Sequence, residues 1–440
     1  MQENQDKQNK ETLPEEVTDK KENRAVKLLR EFREKRALDA AENDVIFSEP
    51  ISAVPVEEKP VALRRGNIDV WFLIIALMLI CFGIVMSYSA SAVFAENRYD
   101  DSMFFLKSYL KYAALGVLFA VPAILWVRPW HWKLFGAASY IGSVILLIVV
   151  VLVGKTGGAI DAAGAQRWIA IGPITIQPSE IAKMAVVLTL ALYMSKYERE
   201  IVAEHKVGGT FKYGFFMPMV IIGILCALIA LQPHLSGLMI VGMIGVMVMY
   251  LGGTRIKWLA LFLAIIAVAG VAFILLFGYT MERVEIWLHI DEVDPLGNAW
   301  QTLQGLYAIG SGGFFGVGLG ASRQKFGYVS QPQNDFIFTI ICEELGFVGA
   351  FLVVFLFALL VWRGIKIGQR APDKFSALVI WGLTFKIALQ VAMNIAVVTN
   401  SMPNTGISLP FFSSGGTALI LQIFEIGIIL SLSRFSTQKQ

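Results

Sequence analysis

IDVWFLIIALMLICFGIVMSYSASA, residues 68–92, carries one charged side chain, Asp69, near its start and none over the rest. A helix of that length crosses a hydrocarbon core of roughly 30 Å. Further apolar runs follow at 106–127, 131–153, 178–195, 214–232, 235–252, 257–278, 336–362, 374–399 and 413–433, ten in all. Over 440 residues the chain is 56% hydrophobic and 16% charged, with a mean hydropathy of +0.63. That is more apolar side chain than a water-soluble core absorbs, so lipid must cover the excess. The pattern predicts an all-α polytopic membrane protein of about ten transmembrane helices.

The basic residues orient it. Arg128 and Lys133, then Lys196, Arg199, Lys206 and Lys212, then Arg255 and Lys257, then Arg363, Lys366, Arg370 and Lys374 fall in alternate connections. Those connections are cytoplasmic by the positive-inside rule. The connections between them, at 154–177, 233–234, 279–335 and 400–412, face outward, and both termini lie inside. Cys81, Cys226 and Cys342 all fall within apolar runs, which excludes a disulfide framework of outer loops.

Residues 1–66 are rich in Lys, Glu, Gln and Asp and contain no cleavable apolar signal, which predicts a mostly disordered cytoplasmic tail. Within it, 24–38 (RAVKLLREFREKRAL) sets Ala25, Leu28, Leu29 and Phe32 near helical spacing beside Lys27, Arg30, Arg33, Lys35 and Arg36. Two readings stay open for it, a solvated helix without a partner and one that docks on lipid headgroups or a cytoplasmic partner. The membrane domain runs from 67 to 433, and 434–440 form a short cytoplasmic tail. The outward segment 279–335 is too long for a plain connection. In it Trp300, Leu303, Leu306 and Tyr307 predict a helix along the outer leaflet, followed by the glycine-dense IGSGGFFGVGLG (309–320), where backbone can approach a neighbour or ligand closely.

Ionisable and polar groups within membrane segments need a partner, a cavity or a function. Glu180 and Lys183 are three residues apart and share a helix face as a candidate ion pair, functional or purely a packing device. Lys386, Gln390 and Asn394 form a polar stripe that must face a cavity or other helices. Glu343 and Glu344 are adjacent on one helix and are expected to face different ways. Asp335, where QPQND meets FIFTIICEELGF, reads by itself either as a helix N-cap or as a functional carboxylate. Ser413, Gly415 and Gly416 open the last run, where free N–H groups could hold a phosphate or glycines could pack helices closely. There is no nucleotide loop, HExxH, GxSxG or Cys/His metal cluster, and His131, His205, His234 and His289 are scattered.

Five stretches then coincide with one family's motifs: GAQRWIAIGPITIQPSEIAK (164–183), LQPHLSG (231–237), DPLGNAWQTLQGLYAIGSGGFFGVGLGASRQK (294–325), NDFIFTIICEELGFVG (334–349) and MPNTGISLPFFSSGG (402–416). In that order they resemble the SEDS proteins, the FtsW, RodA and SpoVE group of peptidoglycan polymerases, and the GP before ITIQPSE favours the FtsW or SpoVE branch. The resemblance implies a ten-helix SEDS fold in the cytoplasmic membrane. It implies an enzyme that polymerises lipid II at the outer leaflet during division or sporulation, with a class B penicillin-binding protein as transpeptidase partner and other divisome or sporulation proteins nearby. Nucleic acid is not an implied partner, and no cofactor is called for, though a divalent cation could assist. By the same resemblance Asp335 takes the catalytic position, and Arg167, Glu180, Lys183, Ser413, Gly415 and Gly416 fall on motifs of the outer cavity. Lys325, Gln390 and Asn394 join them as candidate substrate-binding residues.

Departures from the family pattern are local. VSQPQND stands where LPExHTD is usual, with Gln331 for Glu and Gln333 for His, and His234 stands for the Asp of LQPD. In the implied reaction a sugar hydroxyl of one lipid II attacks the anomeric carbon of another and undecaprenyl diphosphate departs. Asp335 would accept the proton, and Arg167, Lys183 or Lys325 would offset charge on the diphosphate. The rival reading is a lipid II flippase, which intramembrane charges and a polar stripe would also suit.

Overall fold

The computed structural model describes residues 66–435, apart from 155–159, 163–164, 172–173, 203–209, 233, 277, 291, 293, 295–296, 298, 330–331 and 414. The charged stretch 1–65 with its candidate helix at 24–38, the tail beyond Phe435, and Gln331 lie outside the described residues. In chain order the elements are α1 (Val70–Tyr99), α2 (Phe104–Trp126), α3 (Pro129–Gly154), β1 (Ile160–Ala162), β2 (Ala165–Ile171), β3 (Ile174–Ile176), α4 (Pro178–Lys196) and the short α5 (Glu198–Val202). A π-helical turn, Lys212–Phe216, then runs into α6 (Met217–Ala230), followed by α7 (Leu235–Leu251), α8 (Ile256–Leu276), α9 (Gly278–Leu288), α10 (Trp300–Ser311), α11 (Ile337–Gln369), α12 (Lys374–Val398) and α13 (Gly416–Ser433).

Each apolar run therefore carries a helix, and among the described residues seven helices are long and apolar enough to cross a membrane. α7 and the apolar part of α8 are shorter, while α4 carries Glu180 and Lys183 in its first two turns. The bundle has a centre. The apolar windows of α12 and α13 are 72% and 83% buried, against 22–33% for α1, α2, α3, α11 and the helix at 212–230. A helix that meets protein on all sides can carry polar groups that lipid would reject, and the polar stripe of α12 sits on one of these central helices. α13 packs against α2, where a Cβ on Gly116 would fall 2.9 Å from the Cβ of Ile423. Small residues let the two backbones come that close.

The all-α expectation needs one addition. Segment 154–177, read above only as a connection between helices, contains an antiparallel sheet in the order β1-β2-β3, with Ile169 opposite Ile176 and Ile171 opposite Ile174. β-branched residues at these positions favour extended backbone. The sheet leads directly into α4, because Gln177 is its N-cap and Pro178 its first residue. Proline suits that position, where its missing N–H would have no helical partner.

In segment 279–335 α10 forms where the spacing predicts it, with Thr302, Gln304, Gly305 and Ala308 buried and Tyr307 exposed. A second helix there, α9, has no counterpart in the periodicity reading.

The glycine-dense stretch docks on a break in α11. Gly346 has φ 66° and ψ −164° inside that helix, so carbonyls before it lose their helical donors. Val317 N–H donates to Glu343 O at 2.9 Å and Gly318 N–H to Glu344 O at 3.0 Å, while Phe347 N–H donates to Gly313 O at 2.9 Å. A buried backbone group without a partner is costly in lipid, and the loop supplies the missing ones. The carboxylates join in. Glu343 accepts from Ser322 Oγ at 2.5 Å and from Arg323 N–H at 2.9 Å. Glu344 accepts from Ser89 Oγ at 2.6 Å and Lys325 Nζ at 3.0 Å. The two glutamates keep separate partners, Glu344 alone reaching Ser89 of α1, while Ser322 of the loop bonds both.

Gly346→Ala should disrupt this dock. Its positive φ costs a non-glycine residue roughly 1–3 kcal/mol, and a Cβ there would lie 2.3 Å from Gly316 N. We expect a clearly lower thermal midpoint in detergent, with Gly270→Ala, whose Cβ would meet nothing within 4 Å, leaving it unchanged.

Candidate functional site

A cavity of about 260 Å3 opens between the sheet, the N-terminal ends of α4, α7 and α13, the middle of α12, α9, and the segments before α11 and α13. Arg167, Glu180, Lys183, Asp335, Gln390, Ser413 and Gly415 line it, joined by Gln177, His234, Arg283 and the turn at Thr405–Ser408. Seven of the ten residues singled out in the sequence thus meet around one space.

Asp335 does not cap α11. The N-cap is Phe336, and no side chain donates or accepts a capping bond there. The Asp335 carboxylate instead faces the cavity beside Gly406, where an added Cβ would approach Oδ2 to 3.2 Å. Its position is held through the backbone: Asn394 Nδ2 donates to Asp335 O and to Ile407 O, both at 2.7 Å. One amide on α12 so ties the aspartate to the turn that flanks it. Burial pushes the Asp335 carboxyl up to about 6, while Arg283 and Arg167 pull the other way. Desolvation penalises the charged form and nearby cations favour it; here burial prevails.

Lys183 Nζ donates to Glu180 Oε1 at 2.5 Å, with both side chains buried. Behind them Lys386 on α12 pairs with Glu425 on α13 at 2.5 Å, both fully buried. The two pairs interact electrostatically, Glu180 with Lys386 and Lys183 with Glu425. Alternating charges on three central helices neutralise one another where no water is available, and the polar stripe of α12 divides its labour: Lys386 for the pair, Gln390 for the cavity, Asn394 for the aspartate.

His234 replaces the acid usual in its motif and keeps a capping role. Its Nδ1 accepts from Gly237 N–H at 2.7 Å at the start of α7, and its Nε2 lies 3.1 Å from the Gln177 side-chain amide. Burial, with Arg167 and Lys183 nearby, lowers the imidazole to about 3, so it stays neutral at physiological pH.

Three expectations change. Lys325 is absent from the cavity lining; its ammonium is held by Glu344 at 3.0 Å and Gly320 O at 2.6 Å, because the docked loop buries it against the break in α11. Asn394 braces the site from behind. Gly416 packs on Tyr112, whose ring carbons would lie 2.7–3.0 Å from an added Cβ, so at this position helix packing is the reading that applies. Two residues were missed. Glu425 could have been found by the rule applied to Glu180, an acid inside an apolar run. Arg283 gave no signal, being one charged residue in a polar loop; its Nη1 donates to Asn404 O at 2.6 Å. Among the described residues no three His, Cys, Asp or Glu side chains converge on a metal position.

Comparison with known proteins then decides the family. A family model described as "Cell cycle protein", FtsW/RodA/SpoVE, matches residues 70–438. The chain belongs to the FtsW/RodA/SpoVE family. Stage V sporulation protein E of Bacillus subtilis is 41% identical over 375 residues, covering 85% of this chain and 99% of that protein. The probable peptidoglycan glycosyltransferase FtsW of Geobacter sp. strain M18 is 33% identical, covering 84% and 98%. Among solved structures, a chain from a peptidoglycan synthase complex that coordinates polymerization and crosslinking is 25% identical with a TM-score of 0.65, covering 83% and 98%. The rod shape determining protein RodA of Thermus thermophilus gives 24% and 0.61, over 84% and 98%. Like its family, this chain is a multi-pass membrane protein.

Truncating one partner of the Glu180–Lys183 pair should strand a buried charge. Lys183→Met is expected to cost about 3–5 kcal/mol, read as a lower unfolding midpoint in detergent. Adding Glu180→Gln should restore part of it. Lys107→Met, which opens an exposed pair with Asp101, should leave the midpoint where it is.

Proposed function

We propose that this FtsW/RodA/SpoVE-family protein is a peptidoglycan glycosyltransferase that polymerises lipid II, with Asp335 as its general base. The supporting observation is the Asp335 carboxylate, raised to about 6 by burial, in a cavity that also contains Arg167, Arg283 and the Glu180–Lys183 pair. The full arrangement we infer is ten spans with both termini in the cytoplasm, and the segment 279–335 on the outer face with the cavity. The likeness to a chain of a peptidoglycan synthase complex supports a class B penicillin-binding protein as the partner.

The chemistry follows from charge. The acceptor sugar hydroxyl attacks the anomeric carbon of the donor; the new C–O bond forms as the bond to the diphosphate breaks. Asp335 takes the hydroxyl proton, which a carboxylate with affinity near neutrality does more effectively than an ordinary one. Arg167 and Arg283 stabilise negative charge growing on the departing undecaprenyl diphosphate, in a site where screening by water is weak. Lys183 contributes only in part, because Glu180 already balances it. A divalent cation would have Asp335 and the substrate's own phosphate oxygens to hold it, and no step needs one.

Asp335→Asn separates this reading from a structural one. No capping bond is lost, so the variant should fold and keep its midpoint, yet the rate of glycan formation from lipid II in detergent should fall about 10²–10⁴-fold. In detergent there are no two sides between which to flip a lipid, so polymer formation also excludes a pure transporter. An Asn variant as active as the parent would remove Asp335 from the mechanism.

The pH dependence has a definite sign. The base must be ionised, so kcat should rise with pH through about 6 and level off above it, falling nearly tenfold per unit below. A flat profile between pH 5 and 7, measured with a polymerisation assay on stable protein, would contradict the assignment.

A further inference from the structure

A second cavity, of about 400 Å3, lies against the first, with Arg283 in the wall of both. It is bounded by α9, α10 and the turn after α12, with Glu282, Arg283, Trp287, Thr302, Asn400 and Asn404 around it. The residue after Asn404, Thr405, already belongs to the first cavity, and Gly406 beyond it abuts Asp335. A group seated here is therefore one short turn of chain from the carboxylate.

The chemistry of the walls is different from that of the first cavity. The first gathers three cations, Arg167, Lys183 and Arg283, against Glu180 and Asp335, whereas the second has Arg283 opposed by Glu282 and is otherwise neutral, with amides, a hydroxyl and an indole. A diphosphate gains little here. A neutral saccharide gains more: its hydroxyls both donate and accept, as amide and hydroxyl side chains do, and its C–H faces pack on an aromatic ring. That ring is fixed, since Trp287 Nε1 donates to Asn400 O at 3.1 Å. The cavity is also preformed, because Arg283 and Trp287 each hold a backbone carbonyl of the 400–404 turn, and a rigid site loses less on binding.

We propose that this second cavity is a saccharide subsite that holds the acceptor glycan, away from its own diphosphate, and presents its hydroxyl to Asp335. The inference rests on the glycosyltransferase reading above. It assigns the first cavity to the donor diphosphate, and Arg283 to the border between them. Trp287, Thr302 and Asn400 are binding residues in this scheme and take no part in proton transfer.

Two substitutions test it with little disturbance of the backbone. Thr302→Val is nearly isosteric, and Asn400→Gly keeps a position whose φ is 54° while removing the amide. In polymerisation of lipid II by the full chain in detergent, each should raise KM roughly three- to tenfold, the usual worth of one hydrogen bond, with kcat within about twofold of the parent. The lipid-free, diphosphate-free disaccharide of lipid II, used as the probe, should inhibit the parent competitively and the Thr302→Val/Asn400→Gly double variant far less. Unchanged KM and unchanged inhibition would overturn the subsite, as would a loss confined to kcat. Asp335→Asn in parallel keeps the two readings apart. If the parent polymerises, Asp335→Asn does not, and the cavity variants match the parent, only the subsite fails. If the parent forms no polymer, the glycosyltransferase reading fails and takes the subsite with it.

Discussion

Between lipid-facing helices there is no water to satisfy a charge or a broken backbone bond, and each such group must find its partner within the protein. An isolated ion is far more expensive there than a paired one. The centre of this bundle is organised by that demand. Glu180 with Lys183 and Lys386 with Glu425 form two ion pairs in mutual range on α4, α12 and α13, and the two most buried apolar windows belong to α12 and α13. These helices carry the polar groups because the outer ones shield them.

The same demand governs the break in α11. Turning the chain at Gly346 frees carbonyls that a continuous helix would have used, and the glycine-rich loop lends its own N–H groups in return. Backbone can come that near only without a Cβ: one on Gly316 would stand 2.2 Å from Glu344 O. Lys325, Ser322 and Ser89 then neutralise or bond the two glutamates beside the break. The reward is positional. With the first part of α11 held in this way and Asn394 gripping Asp335 O, the aspartate is presented to the cavity by backbone restraints and keeps its carboxylate unencumbered.

Charge is graded between the two neighbouring cavities. Cations concentrate where a diphosphate would leave, while neutral amides and an indole lie on the far side of Arg283. A reaction in which a neutral hydroxyl displaces a charged diphosphate from a sugar has use for such a gradient, because each group is then drawn to the part of the site that matches it.

Much of this was legible in the residues themselves. Hydropathy is a property of single segments, so the apolar runs found their helices wherever structure is described, and Glu180 with Lys183 could be paired because three residues on one helix fix their separation. Asp335 was legible as a carboxylate at a polar–apolar border, though its neighbours alone could not choose between capping and facing a cavity. The strands at 160–176 escaped notice because short β segments in a connection between helices lack the length of a hydropathy signal. What tertiary structure alone decided is which helix faces meet: that Glu425 answers Lys386 across 39 residues, that Lys325 turns inward to Glu344, that Gly416 packs on Tyr112, and that Arg283 arrives beside Asp335. None of these follows from local spacing, since each depends on packing between segments far apart in the chain, where burial makes the partner obligatory without naming it.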